Sequence, residues 1–257
     1  MLAPDAGGGF DPSLFEELAE VEGASFWFAA RNRIVLWVLS TWFGNARSFL
    51  EVGCGTGYVL QAIAEALPKL ELFAIDLHVE GLEFARRRVP TAGFAQADAR
   101  ALPLHAQFDV AGAFDVIEHV EDDAAVLASL RESVRPGGGV IVTVPQHPLL
   151  WSAFDDASHH VRRYRRHELE GKVRAAGLEL VVSTSFISFL LPAMAISRLI
   201  PRPNGSRSVA DDLRHTPRVE RALDSVTEIE FALLRRGVRL PYGGSRLVVA
   251  RRPPTTA

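Results

Sequence analysis

Apolar residues along this chain fall into short blocks separated by helical stretches. Phe49-Leu50-Glu51-Val52 is followed by a helical pattern over 58–67, then by Leu72-Phe73-Ala74-Ile75 and a second helical pattern over 79–88. A short strand at 93–96, a strand at 109–114 and a helix over 122–134 continue the series. Pro136-Gly137-Gly138-Gly139 reads as a turn before a strand at 140–144. A helix near 166–176 stops at Gly177, ahead of a strand at 178–183. Short apolar runs suit buried strands, and the 3.6-residue patterns between them suit helices. The alternation predicts an α/β fold, a mostly parallel sheet with helices on both faces. Right-handed crossovers then place the strand C-terminal ends on one edge, where ligands bind.

The flanks depart from this series. Residues 1–12 are polar and glycine-rich and read as a disordered tail. From 14 to 43 the pattern is helical, with Phe26, Trp27, Phe28, Ile34, Leu36, Trp37, Val38 and Leu39 forming apolar faces. Residues 1–46 are therefore assigned as a tail plus cap helices. An insertion is expected over 186–242. It opens with the apolar run 186–200, interrupted by Pro192, passes through a Pro-, Ser-, Arg- and Asp-rich loop at 202–217, and returns to helical spacing over 218–236. The apolar run is short of the about 20 residues a membrane span requires. A lid or buried helix and a membrane-surface helix both remain open for it. The core is assigned to 47–185 and 243–257, the last piece carrying a final strand through Leu247-Val248-Val249.

Composition narrows the class. The chain has 257 residues, 48% of them hydrophobic and 23% charged, enough for one large domain or a domain with an insertion. A net charge of −3 offers no electrostatic footprint for nucleic acid. Cys54 is the single cysteine, so no disulfide forms within the chain, which fits a reducing compartment. No signal-peptide pattern opens the sequence. A cytoplasmic location is expected, at the inner membrane surface if 186–200 makes peripheral contact.

Candidate chemistry begins where the first strand meets a glycine-rich turn, Gly53-Cys54-Gly55-Thr56-Gly57. Asp76 ends the second strand, placed to bond a ribose hydroxyl. The third glycine of a dinucleotide fingerprint would fall on Tyr58, which argues against a nicotinamide oxidoreductase. The pattern is instead E-x-G-x-G-x-G over 51–57. It resembles motif I of the class I S-adenosylmethionine (SAM)-dependent methyltransferases. Further along, Phe114-Asp115-Val116-Ile117-Glu118-His119-Val120 resembles the fourth-strand motif of small-molecule methyltransferases, including the quinone-biosynthesis O-methyltransferases. Arg135-Pro136-Gly137-Gly138 is similar to the family's loop before strand five. The resemblance covers roughly 47–185 and 243–251.

The resemblance implies a Rossmann-like seven-stranded sheet whose last strand enters antiparallel, and SAM as cofactor with S-adenosylhomocysteine as product. It implies that Glu51 organises the methionine end, and that the turn of Gly53, Cys54, Gly55, Thr56 and Gly57 lies against the cofactor. Asp76, with Leu77 beside it, would take the ribose. Asp98 and Ala99 would meet the adenine, although a turn-capping Asp98 is equally open. Phe114 and Asp115 would face the sulfonium.

Methyl transfer is an in-line displacement with a neutral thioether leaving, so alignment and exclusion of water matter most. A hydroxyl acceptor also benefits from a base. His119 is the candidate, with a helix-capping role as the alternative. For the acceptor, His147, His160, Arg163 and Tyr164 follow strand five on the ligand edge, and Trp27 and Arg31 reach in from the N-terminal helices. A solvated basic loop over 155–166 is the other reading. No metal site is expected, because adjacent histidines such as His159 and His160 do not point one way on regular structure. A small or lipid-like acceptor is expected. A SAM-binding sensor or accessory protein and a peripheral membrane scaffold stay as rivals, and the oligomeric state is silent.

Overall fold

A computed structural model describes residues 11–199 and 214–255. Most of the loop expected at 202–217 lies outside them, as does most of the expected tail.

Seven strands form one sheet: β1 (Ser48–Val52), β2 (Glu71–Asp76), β3 (Gly93–Gln96), β4 (Phe108–Phe114), β5 (Val134–Pro145), β6 (Glu179–Phe186) and β7 (Ser245–Arg251). Their spatial order is β3-β2-β1-β4-β5-β7-β6. β1 to β5 pair in parallel, while β7 inserts antiparallel between β5 and β6. This is the Rossmann-like arrangement expected, including the reversed last strand.

The helices are α1 (Leu14–Val21), α2 (Phe26–Trp42), α3 (Tyr58–Ala66), α4 (Val79–Arg88), α5 (Asp123–Ser133), α6 (Ala153–Ala157), α7 (Glu168–Ala175), α8 (Leu191–Leu199) and α9 (Pro217–Arg235). Side chains alternate across each strand, so the central strands feed two cores. Leu50, Val52, Val140, Val142 and Val248 pack with Val126, Leu127 and Leu130 of α5 and with Leu169 and Val173 of α7. Phe49, Ile141, Leu247 and Val249 pack on the opposite face with Ile34, Val35, Val38 and Leu39 of α2 and with Leu234 of α9.

The two flanks therefore cover the sheet rather than only capping its edge. Arg33 of α2 reaches Asp224 and Thr227 of α9 at 2.7 Å each, and the Phe26 N–H donates to Glu220 at 2.8 Å. The apolar run 186–200 is not one helix. Phe186 closes β6 and is buried with Ile187 and Leu190. Ile187 has φ +57°, and Glu230 accepts the N–H groups of Ser188 and Phe189. Only 191–199 is helical, with Pro192 in its first turn, where a missing N–H costs little. Among the described residues no helix is long and apolar enough to cross a membrane.

Three boundaries also move. β5 begins at Val134, because the expected Pro136–Gly139 turn is a bulge in the strand: pairing jumps from Phe108↔Val134 to Val110↔Gly139. α7 starts at Glu168, after His167 at φ +66°. β6 runs on to Phe186 because Ser183 to Phe186 continue pairing with β7.

Candidate functional site

The C-terminal ends of β1, β2 and β4 open onto a cavity of about 810 Å³, roofed by α1 and the start of α2. β1 leaves the sheet through the glycine turn. Gly53 sits at φ +70°, and a Cβ there would lie 2.6 Å from Val116, so a side chain is excluded by both backbone and space. Glu51, Gly53, Cys54, Gly55 and Thr56 all line the cavity. Gly57 does not. Its expected cofactor contact is replaced by packing: at φ +78°, it lets α3 pass Ala85 of α4, where a Cβ would stand 2.8 Å away. Burial pushes the Cys54 thiol up, consistent with a packing residue rather than a nucleophile.

Asp76 spans the turn. Its Oδ2 accepts the Gly55 N–H at 2.7 Å and its Oδ1 accepts the His78 N–H at 2.9 Å. Each oxygen retains a lone pair, so the carboxylate can still take a diol. Leu77, Asp98 and Ala99 line the same wall. Asp98 is held by Arg100, whose Nε and Nη2 donate to it at 3.0 and 2.6 Å, and this pairing lowers its pKa. Glu51 is 2% exposed. Burial raises its pKa to about 8, against the attraction of Arg31.

The N-terminal segment closes this half through residues that carry no sequence motif. Thr56 donates from Oγ1 to buried Glu22, at 2.8 Å, and Arg88 pairs with the same carboxylate. Arg31 lies over Trp27 and Phe28, 4.9 and 5.0 Å from their ring centres, and bonds Asp115 at 3.1 Å. Asp115 stands at φ +57°, just past β4, and with Phe114 it lines the cavity. Trp27 and Arg31 both line the cavity.

The far wall gathers chain segments that are remote in sequence. Glu118 and His119 follow β4, while His160 and Arg163 come from the loop after β5, and all four line the cavity. Asp155 organises them. Arg163 donates to its two oxygens at 2.6 and 3.0 Å, and His160 Nδ1 lies 2.8 Å from Oδ1. Burial pushes Asp155 up, but the bonds from His160 and Arg163 outweigh it and hold the carboxyl well below the usual range. His119 packs edge-on against His160, ring centres 4.6 Å apart. Burial, reinforced by His160, drives its pKa down to about 3.

Two acceptor candidates fall away. Tyr164 is fully buried and donates from its hydroxyl to Asp123 at 2.7 Å, which ties the loop to α5. His147 stacks on Tyr242, centres 5.8 Å apart, outside the cavity lining. Conversely, Glu118, a motif residue for which the resemblance implies no role, and Met194 of α8, from the insertion, both reach the cavity. The side chains that come together around His160 are Glu118 and His119 rather than the adjacent His159: one ligand atom each from Glu118, His119 and His160 lie within 4.8 Å of one another.

Comparison with known proteins accords with this geometry. Residues 23–183 match the family model described as a methyltransferase domain. The chain is 29% identical to trans-aconitate 2-methyltransferase of Azoarcus sp. (strain BH72) over 46% of this chain and 45% of that protein. It is 29% identical to ubiquinone biosynthesis O-methyltransferase of Pseudomonas paraeruginosa (strain DSM 24068 / PA7), over 52% and 65%. These matches span less than two-thirds of either relative. The phosphoethanolamine N-methyltransferase 2 of Haemonchus contortus, solved with SAM, superposes with a TM-score of 0.59 at 15% identity, covering 87% of this chain and 52% of that one. With its fold, its glycine turn and a family match over more than half its length, this chain belongs to the class I SAM-dependent methyltransferases.

Proposed function

We propose that the chain transfers the methyl group of SAM to a small, partly apolar acceptor. One observation carries the reading: a single cavity joins the Glu51, Asp76 and Asp98 wall to the Asp115, Glu118, His119 and His160 wall. The first suits a nucleoside with an aminoacyl tail. Glu51 sits where the ammonium and sulfonium of SAM would favour its ionised form. The second wall, with Trp27, Phe28 and Met194, suits an acceptor with an apolar body and a polar reacting end. The acceptor atom attacks the methyl carbon as the S–C bond breaks, and neutral S-adenosylhomocysteine leaves. The names of the relatives, a trans-aconitate and a ubiquinone-biosynthesis enzyme, support a small-molecule acceptor.

His119 keeps its place beside the acceptor but not the role of an independent base. A group whose pKa lies at about 3 takes little of a hydroxyl's proton at neutral pH. A carboxylate acceptor would need no base. The exposed apolar residues Phe189 and Ile196, flanking and within α8, support a greasy acceptor or a peripheral membrane contact at this end. Calorimetric titration with SAM and with S-adenosylhomocysteine tests the reading. Binding of both, weakened in Asp76→Ala, is expected. A folded protein that binds neither would overturn it.

A further inference from the structure

The geometry points to a divalent transition-metal site of the zinc type, built by Glu118, His119 and His160 and open toward the acceptor. The proposal rests on the methyl-transfer reading for its purpose, but not for its existence.

Three ligand atoms, one from each residue, already lie within 4.8 Å of one another. Glu118 is 0% exposed, and neither of its carboxylate oxygens meets a hydrogen-bond donor. A buried carboxylate without a partner is costly and calls for a cation. Two guanidiniums lie nearby, but Arg31 bonds Asp115 through Nη1, Arg163 bonds Asp155, and neither donates to Glu118. His160 is oriented as metal-bound histidines are. Its Nδ1 engages Asp155 at 2.8 Å, which leaves Nε2 for a ligand, and Asp155 is itself fixed by Arg163 and Ser152. His119 is supported in turn by backbone bonds at Ser158 and His159. Two imidazoles and one carboxylate suit zinc, cobalt or iron better than magnesium or calcium, which favour all-oxygen sets.

Three protein ligands leave a position open to the cavity, as catalytic rather than structural zinc sites do. An acceptor hydroxyl bound there would lose its proton to solvent water more readily. Its oxygen would form the new O–CH₃ bond as the S–CH₃ bond breaks. The ion would thereby select acceptors with an oxygen able to bind metal.

The test uses the full chain, stripped with a chelator and titrated with ZnCl₂, and in parallel with CoCl₂, whose visible absorption reports nitrogen ligation. One ion per chain is expected, with affinity lowered by roughly 100-fold in Glu118→Gln and in His160→Gln, at the upper end of what even supporting residues of a metal site command. Each variant is judged on protein that still binds SAM, so failure of the metal site and failure of the cofactor reading are separated. Unchanged zinc affinity in both variants would assign the ion to other histidines and overturn the proposal. So would absence of stoichiometric binding to the stripped wild-type chain. Should both variants fail to fold, a wild-type cobalt spectrum without nitrogen ligation would overturn it alone.

Discussion

The two halves of the cavity are built by different means. On the side proposed for SAM, the lining comes from the glycine turn and from residues at the ends of adjacent strands. The turn after β1 and the Asp76 carboxylate that spans it lie 21 residues apart and are joined by one 2.7 Å bond. On the side proposed for the acceptor, Asp155 binds Arg163 and His160 within its own loop, but His119, against which His160 packs, arrives from the segment after β4. The first half is a property of the β–α–β unit. The second is a property of how two loops meet above the sheet.

The largest test of that division is Arg163→Ala. Removing one partner of a buried pair leaves the other charge stranded, at a cost of about 3–5 kcal/mol. Urea denaturation should show that loss, while SAM affinity stays near wild type because the glycine turn is untouched. A matching loss of SAM affinity would mean the halves are one unit. Next, Asp76→Ala should weaken SAM binding by about 1–3 kcal/mol by calorimetry, the range for stranding polar partners. Gly57→Ala sharpens the comparison from inside the turn. A side chain in left-handed backbone costs about 1–2 kcal/mol, and contact with Ala85 adds to it. Its effect should appear in thermal stability more than in SAM affinity.

Glu51 adds a pH signature to the cofactor half. Its folded pKa, about 8, lies above its ordinary value. Folding therefore favours the protonated acid. That contribution to ligand-free stability is complete below the unfolded pKa, about 4.3, and is lost as pH rises through about 8. The slope should not exceed about 1.4 kcal/mol per pH unit for this single group. Melting temperatures between those limits should fall with pH in the wild type and flatten in Glu51→Gln. The smallest effect is expected from Ile196→Ser. This side chain is 58% exposed, so stability should move by no more than about 0.5 kcal/mol. A raised KM for apolar acceptors, or lost flotation with vesicles, would assign α8 to acceptor delivery. No change in either would confine α8 to packing through Met194.

Legibility followed the same divide. The glycine turn and Asp76 were readable because they sit at strand ends, which show in the apolar pattern, whereas Asp98 and Asp115 were singled out only by the resemblance to the family; Asp76, Asp98 and Asp115 all line the cavity. Gly57 was readable as a necessary glycine but not as a helix-packing one, since its neighbour Ala85 is on the next helix. Tyr164 and His147 looked equivalent to His160 and Arg163 in the loop sequence. Their outcomes differ because the loop pairs Gln146 with Tyr164 and turns Tyr164 toward Asp123, leaving His160 and Arg163 facing the cavity. Glu22 had no signal at all. It matters only because α1 and α2 fold back over Thr56. The run 186–200 misled for a related reason: its apolar residues serve three neighbours, a strand end, a turn and a short helix.

The reversed last strand followed only from the resemblance to the family; by itself, the sequence determined the alternation of strands and helices and the glycine turn after β1. Each depends on periodicity or on backbone conformations that only certain residues adopt, and both are written over a few consecutive positions. Only the tertiary structure decided that α2 and α9 share a face of the sheet, that Glu118 is stranded without a donor, and that His119 and His160 stand edge to edge. Those facts depend on which side chains burial forces together from distant segments. Burial also sets their charge, holding Glu51 up and His119 down where water would have left both near their ordinary values.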